Sequence, residues 1–280
     1  MSATNIKNLS LIDTHAHLLK QYYDQQDWDN IKSMQNDDLA AIINVACDLN
    51  QSIECINYFS HLQQALSLPV FISLGIHPHH IPAPGDIEEL SLLIKDNFYS
   101  APIVAIGECG LDYHYQPFDA KAQKQSFIRQ IEIAQEMNLP IIMHCRDAWD
   151  DFLEIILYHQ VRGVIHSFSA DYSVLNTLIA SSGLMIGVGG IATFTKEQDQ
   201  LMAFKNIPIN RLLLETDSPY LTPSPFRGKK NNPYLVTYIA RYMAELMQVT
   251  IEDISTNTFD NVCRLFNLDI NGPLSLNRKI

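Results

Sequence analysis

The sequence is short of several things that would each have set its class. Among 280 residues there is no apolar run approaching the roughly 18 residues that suggest a membrane span. The opening segment MSATNIKNLSLID holds one lysine and only a brief apolar stretch, without the features of a secretory leader. Five cysteines, Cys47, Cys55, Cys109, Cys145 and Cys263, are odd in number and lack C-x-x-C spacing, which speaks against a disulfide framework and against a structural zinc site. Reduced thiols and a cytoplasmic protein are therefore expected. No G-x-G-x-x-G turn follows the first strand candidate, so a nucleotide cofactor is not expected. Basic residues are scarce as well: 19 Lys and Arg against 31 Asp and Glu give a net charge of −12. That balance excludes a protein that coats DNA non-specifically, because such affinity comes from many cationic contacts to phosphate. It leaves room for a nuclease, since acidic metal ligands inflate the negative count until cations bind.

What is present is a globular balance, 47% hydrophobic and 18% charged, arranged as short apolar runs alternating with helical patterns. Strand candidates fall at 9–13, 39–46, 70–76, 102–107, 140–144, 162–166, 184–188 and 211–215. Several are almost continuously apolar, as in a parallel sheet covered by helices. Helical spacing is clearest over 119–138, with Phe127, Ile131 and Ala134 on one face and Asp119 as N-cap. Another helical face runs through Ile251, Ile254, Thr258, Val262 and Leu265, capped by Thr250. Eight strands alternating with helices, without a linker or composition break, predict one domain over 1–280: an α/β protein, a single (β/α)8 TIM-type barrel.

Active sites of such barrels gather at the C-terminal strand ends. There the sequence places His15 and His17 after the first strand, Glu108 after the fourth, His144 after the fifth, His166 after the sixth, and Glu215-Thr216-Asp217 after the eighth. On an extended segment the H-x-H spacing turns both imidazoles to one side. A lone histidine at a strand end is usually structural. Four histidines and two acids at the ends of five strands predict a metal site at the barrel mouth.

Six blocks carry a family resemblance: DTHAHL, LGIHPHH, AIGECGLDYH, PIIMHCRDAWDDF, GVIHSFSA and LLLETDSPYLTPSPFRGKKNNP. In that order, and over nearly the whole chain, they resemble the TatD family of metal-dependent deoxyribonucleases, within the wider amidohydrolase-like barrels. The resemblance implies that His15, His17 and Asp217 hold a first metal ion, His144 and His166 a second, and that Glu108 bridges the two. The acid often found soon after H-x-H is replaced by Leu18, Leu19 and Lys20, and Ser167 and Ala170 stand where the family often has cysteine and glycine. None of these departures removes an expected ligand.

The implied chemistry is hydrolysis of DNA phosphodiesters, exonucleolytic on single strands or frayed ends. Two divalent ions, Mg, Mn or Zn, would activate a water, with Asp217 and Glu108 as the catalytic carboxylates. Arg146, His77, Arg227 and Lys229 are the candidate substrate contacts. For Arg146 an ion pair with Asp147 or Asp150 competes with a phosphate role, and for 227–230 a solvated turn does. His79 and His80 are expected to brace their loop, and Tyr113 and Tyr220 either stack on a base or pack loops. Two other functions fit the same fold: hydrolysis of a small ester, lactone or amide, and a non-catalytic metal-stabilised scaffold.

Overall fold

Every strand of the sheet contributes to one apolar interior, and that interior sets where the polar strand ends must go. The computed structural model describes residues 9–269 and 275–277. Its main sheet runs in sequence order through β1 (Leu11–Ala16), β2 (Leu39–Val45), β3 (Val70–Leu74), β4 (Ile103–Asp112), β5 (Ile141–Arg146), β6 (Gly163–Ile165), β7 (Met185–Val188) and β8 (Leu212–Leu214). All seven ladders are parallel. A bridge between Ala16 and Ser218 ties the end of β1 to the segment after β8, so the barrel is nearly closed.

Around it lie α1 (Gln25–Ser33), α2 (Leu49–Leu66), α3 (Asp86–Asn97), α4 (Ala120–Glu136), α5 (Trp149–Tyr158), α6 (Tyr172–Ser181), α7 (Gln198–Lys205), α8 (Val236–Met247) and α9 (Ile251–Phe266). No helix among the described residues is long and apolar enough to cross a membrane.

Ile12, Ile43, Phe71, Val104, Ile142, Val164, Met185 and Leu213, one from each strand, belong to a single buried cluster, joined by Val262, Leu265 and Phe266 of α9. Those are the barrel interior and the helix that closes its base. A second, larger cluster fills the layer between strands and helices. Because side chains alternate along a strand, residues two or four positions beyond an interior residue return to the interior side. Ile142 is followed by His144, Val164 by His166, Leu213 by Glu215 and then Asp217. The apolar stack below thus aims the polar residues above it.

The strand candidates all correspond to strands, with shifted ends. β4 differs most: Glu108 is its sixth residue of ten rather than its last, because pairing with β5 resumes after a register slip between Ile106 and Cys109 and continues to Asp112↔Arg146. Gly110, at φ +144°, lets β4 pass against the carbonyl of His144, where any Cβ would collide. The two helices read most clearly from the sequence form with their expected caps. Asp119 accepts from Ala122 N–H, and Thr250 forms a capping box with Asp253.

Helix α9 covers the barrel base, so its cap should matter to the whole fold. Thr250→Ala is expected to lower unfolding stability by about 1 kcal/mol, read as a reduced urea midpoint with unchanged slope.

Candidate metal centre

The end of β1 is zipped to the loop after β8. His17 N–H donates to Ser218 O (2.7 Å), Asp217 N–H to His15 O (2.8 Å), and Thr216 donates its N–H and its hydroxyl to the two oxygens of buried Asp13 (2.8 and 2.6 Å). This brings His15, His17 and Asp217 together although some 200 residues separate them. His15 Nε2 and His17 Nε2 lie 3.2 Å apart, so the H-x-H pair does share one side. Asp217 stands in the left-handed region at φ +56°, which turns its carboxylate into the mouth: Oδ1 is 3.4 Å from His17 Nε2, 3.9 Å from His15 Nε2 and 3.7 Å from His166 Nε2.

Glu108 divides its two oxygens. Oε2 faces His15 Nε2 (3.3 Å) and His17 Nε2 (3.8 Å), whereas Oε1 faces His144 Nδ1 (3.0 Å), His77 Nε2 (3.5 Å) and His166 Nε2 (3.8 Å). Three compact donor sets result: His15–His17–Glu108, His15–His166–Asp217 and His77–Glu108–His144. All six sequence-predicted ligands are therefore at one mouth. His144 and His166 share Glu108 Oε1 but fall in different sets, and His77, expected only as a substrate contact, joins His144.

The donor chemistry fits divalent cations. Ligands about 2.0–2.2 Å from a tetrahedral ion sit roughly 3.3–3.6 Å from one another, and the separations above cluster around that spacing. The imidazoles are also oriented as ligands. His17 Nδ1 donates to Val45 O (2.9 Å), which leaves its Nε2 lone pair pointing inward. His144 Nε2 is 2.9 Å from Asp112 Oδ2, and His166 Nδ1 is 2.8 Å from Glu215 Oε1, so each presents its other nitrogen to Glu108.

Asp112 and Glu215 are the residues that reading the sequence missed as functional. Glu215 offered a signal, since it lies two positions before Asp217 and hence on the same side of the strand. Asp112 offered little, because the prolongation of β4 that carries it there was not apparent. Gly187 makes room for Glu215: a Cβ there would strike its carboxylate.

Charges around Glu108 are arranged to compensate. Burial alone raises its carboxyl, but the surrounding histidine cluster, with His166 close by and His144 bonded to it, outweighs this and holds it well below the usual range. Asp217 is likewise raised by burial and lowered, on balance, by His166 and His17. Burial lowers His166, yet Glu215, Glu108 and Asp217 carry it up to about 9. His144 is also lowered by burial and raised overall by its bonds to Asp112 and Glu108. His77 is pushed well below the ordinary histidine value by burial. Its Nδ1 accepts the His79 N–H (3.1 Å), so as a neutral ring it keeps its proton on Nε2, toward Glu108. The thiols of Cys109 and Cys145 are raised by burial, in keeping with small packed neighbours. Cys47, not singled out from the sequence, lines the mouth with Sγ 3.7 Å from Glu108 Oε2, and burial lifts its thiol to about 11.

A cavity of about 470 Å³ opens above these residues, lined further by Arg146, Tyr115, Tyr22 and Tyr220. Arg146 hydrogen-bonds to the Tyr115 hydroxyl (3.3 Å) rather than to Asp147, which pairs with His114 instead. Arg227 and Lys229 are not among the lining residues. The Arg227 guanidinium lies 3.9 Å over the Phe194 ring and donates to Thr222 O, while Lys229 borders a separate cavity with Lys230, which pairs with Asp27. Of the basic segment 227–230, Arg227 is engaged with its own loop and Lys230 with α1 and the turn before it. Tyr113 is turned away too, stacked on Phe118 and bonded to Asp151. His79 braces Asp112 (2.9 Å), as expected of its loop.

Residues 12–267 match the family model described as TatD related DNase. The chain belongs to the TatD family. Relatives of this TatD-family chain include the uncharacterized metal-dependent hydrolase YcfH of Escherichia coli K12, 37% identical over 92% of this chain and 96% of that protein. The 3'-5' ssDNA/RNA exonuclease TatD of Erwinia tasmaniensis is 34% identical over 74% of this chain and 84% of its own length. Among solved structures, the TatD homolog YJJV of Escherichia coli K12 superposes with a TM-score of 0.82 at 26% identity, covering 92% of this chain and 98% of that one. The chain is a metal-dependent hydrolase of this family.

Metal binding should be proton-linked, because His144 and His166 are held in their charged forms by carboxylates and must be neutral to ligate. Divalent-ion affinity is expected to rise as the pH climbs toward about 9, the value of His166, with net proton release at pH 7. Calorimetry in buffers of different ionisation enthalpy measures it; a buffer-independent enthalpy would contradict it.

Proposed function

We propose that this chain is an exonuclease acting on single-stranded or frayed DNA ends, through two divalent ions and an activated water. The observation that carries the reading is the division of Glu108 between two groups of donors at one mouth, with Arg146 beside them. His15, His17 and Asp217 would hold one ion, His144 and His166 the other, with Glu108 shared. Mg, Mn or Zn each suit part of that oxygen and imidazole set. Bound there, such ions supply Lewis acidity and lower the pKa of water toward neutrality. The relative named as an exonuclease supports the reaction class.

The chain's own residues supply the rest. Asp217, an ionised acceptor at the mouth, orients the attacking water and takes its proton. Arg146 holds a phosphate oxygen with a planar donor group that rests on the Tyr115 hydroxyl and, among the described residues, forms no ion pair. His77 offers Nε2–H as a neutral hydrogen-bond donor to a nonbridging oxygen. Arg227 and Lys229 have no part here, given where their side chains go. Five free thiols suit a reducing cytosol.

His144→Ala and Asp217→Asn should each abolish oligonucleotide hydrolysis and reduce bound metal. Arg146→Ala should raise KM about tenfold and flatten the salt dependence by roughly one phosphate contact, with Lys229→Ala near wild type on both. Retained metal and full rate in the first two variants would refute the proposed site.

A further inference from the structure

The loops above the barrel bring aromatic rings to two places on the cavity rim. Tyr220 follows β8 and Tyr22 follows β1. Their rings meet edge to face with centroids 5.9 Å apart, and both stand edge-on to His17, at 6.1 and 6.3 Å. Tyr115 follows β4; its ring meets His79 at 5.2 Å and carries the Arg146 guanidinium 5.1 Å above its centroid. In a sheet ordered β1 to β8 whose ends are joined by the Ala16–Ser218 bridge, that junction and the β4–β5 pair are half a circuit apart. The two aromatic banks therefore face one another across Glu108 and the histidines. Tyr220 is 49% and Tyr115 58% exposed, and both line the cavity that holds His144 and Asp217.

We propose that these banks are base-stacking subsites, one on each side of the scissile phosphate, so that the substrate is an unpaired two-nucleotide step splayed across the mouth. The inference rests on the nuclease reading and adds its footprint. A phosphate lying over Glu108 and beside Arg146 leaves its two nucleosides pointing to opposite rims. Neighbouring bases in a duplex stack on each other, and rings half a circuit apart cannot both reach them until that stack opens. Aromatic faces replace the lost base–base contact. Rings accept any base, so the subsites give strandedness without sequence preference. The apolar faces also add affinity where the local charge is unhelpful, since the mouth is rich in carboxylates and Arg146 is its main fixed cation.

The test pairs ring deletion with base deletion. Rates are measured for the full chain with divalent ion on a labelled single-stranded oligonucleotide, and on copies with an abasic residue on either side of the cleaved linkage. Removing either base should lower wild-type kcat/KM by about tenfold, as should Tyr115→Ala or Tyr220→Ala on the intact strand. Each variant should be indifferent to loss of the base its ring would have met, and Tyr115→Phe and Tyr220→Phe should restore the loss. Multiplicative losses, or a wild type that ignores abasic sites while cleaving the intact strand, would overturn the stacking subsites and leave the nuclease reading standing. Failure to cleave any oligonucleotide with any divalent ion would remove both.

Discussion

One buried carboxylate holds this molecule's functional end together. Nitrogens of five histidines, from β1, β3, β5 and β6 or the turns after them, lie within 3.8 Å of Glu108. A charge buried at that depth without partners would cost several kcal/mol, and the same penalty falls on the imidazolium groups if the carboxylate is taken away. The barrel satisfies both at once by making the strand ends converge. Convergence in turn depends on the interior below, where Ile142, Val164 and Leu213 set which residues of β5, β6 and the end of β8 point inward, while β1 passes through a register shift between Asp13 and Ala16.

Much of this was legible in the sequence, for physical reasons that differ from part to part. The barrel declared itself because its strands are covered on both faces and read as short apolar runs. The candidate ligands stood out because strand periodicity and barrel polarity reduce distant histidines to a single location. α4 and α9 were legible down to their caps, since Asp119 and Thr250 act over three residues. What escaped depended on long-range detail. The register slip in β4 put Glu108 inside a strand and carried Asp112 to His144; Gly107 and Gly110 beside it hint at an irregular strand without saying where pairing resumes. Arg227, Lys229 and Lys230 looked like a phosphate-binding run, but a basic run does not say which way its side chains turn. Here Phe194, Thr222 and Asp27 claim two of the three.

The second layer explains how a neutral-pH metal centre can be assembled from so many histidines. Asp112 behind His144, Glu215 behind His166 and the Val45 carbonyl behind His17 each fix one ring nitrogen and free the other. Orientation is thereby set before any cation arrives. Gly187 and Gly110 serve the same end by omission, one leaving space for Glu215 and the other letting β4 approach His144.

The closure of the barrel base by Val262, Leu265 and Phe266 gives the site a topology as well as a floor. The interior itself is packed solid, so reactive groups are confined to the mouth. Any substrate meets them from that one face, and the opposite end of the barrel is left to serve stability alone.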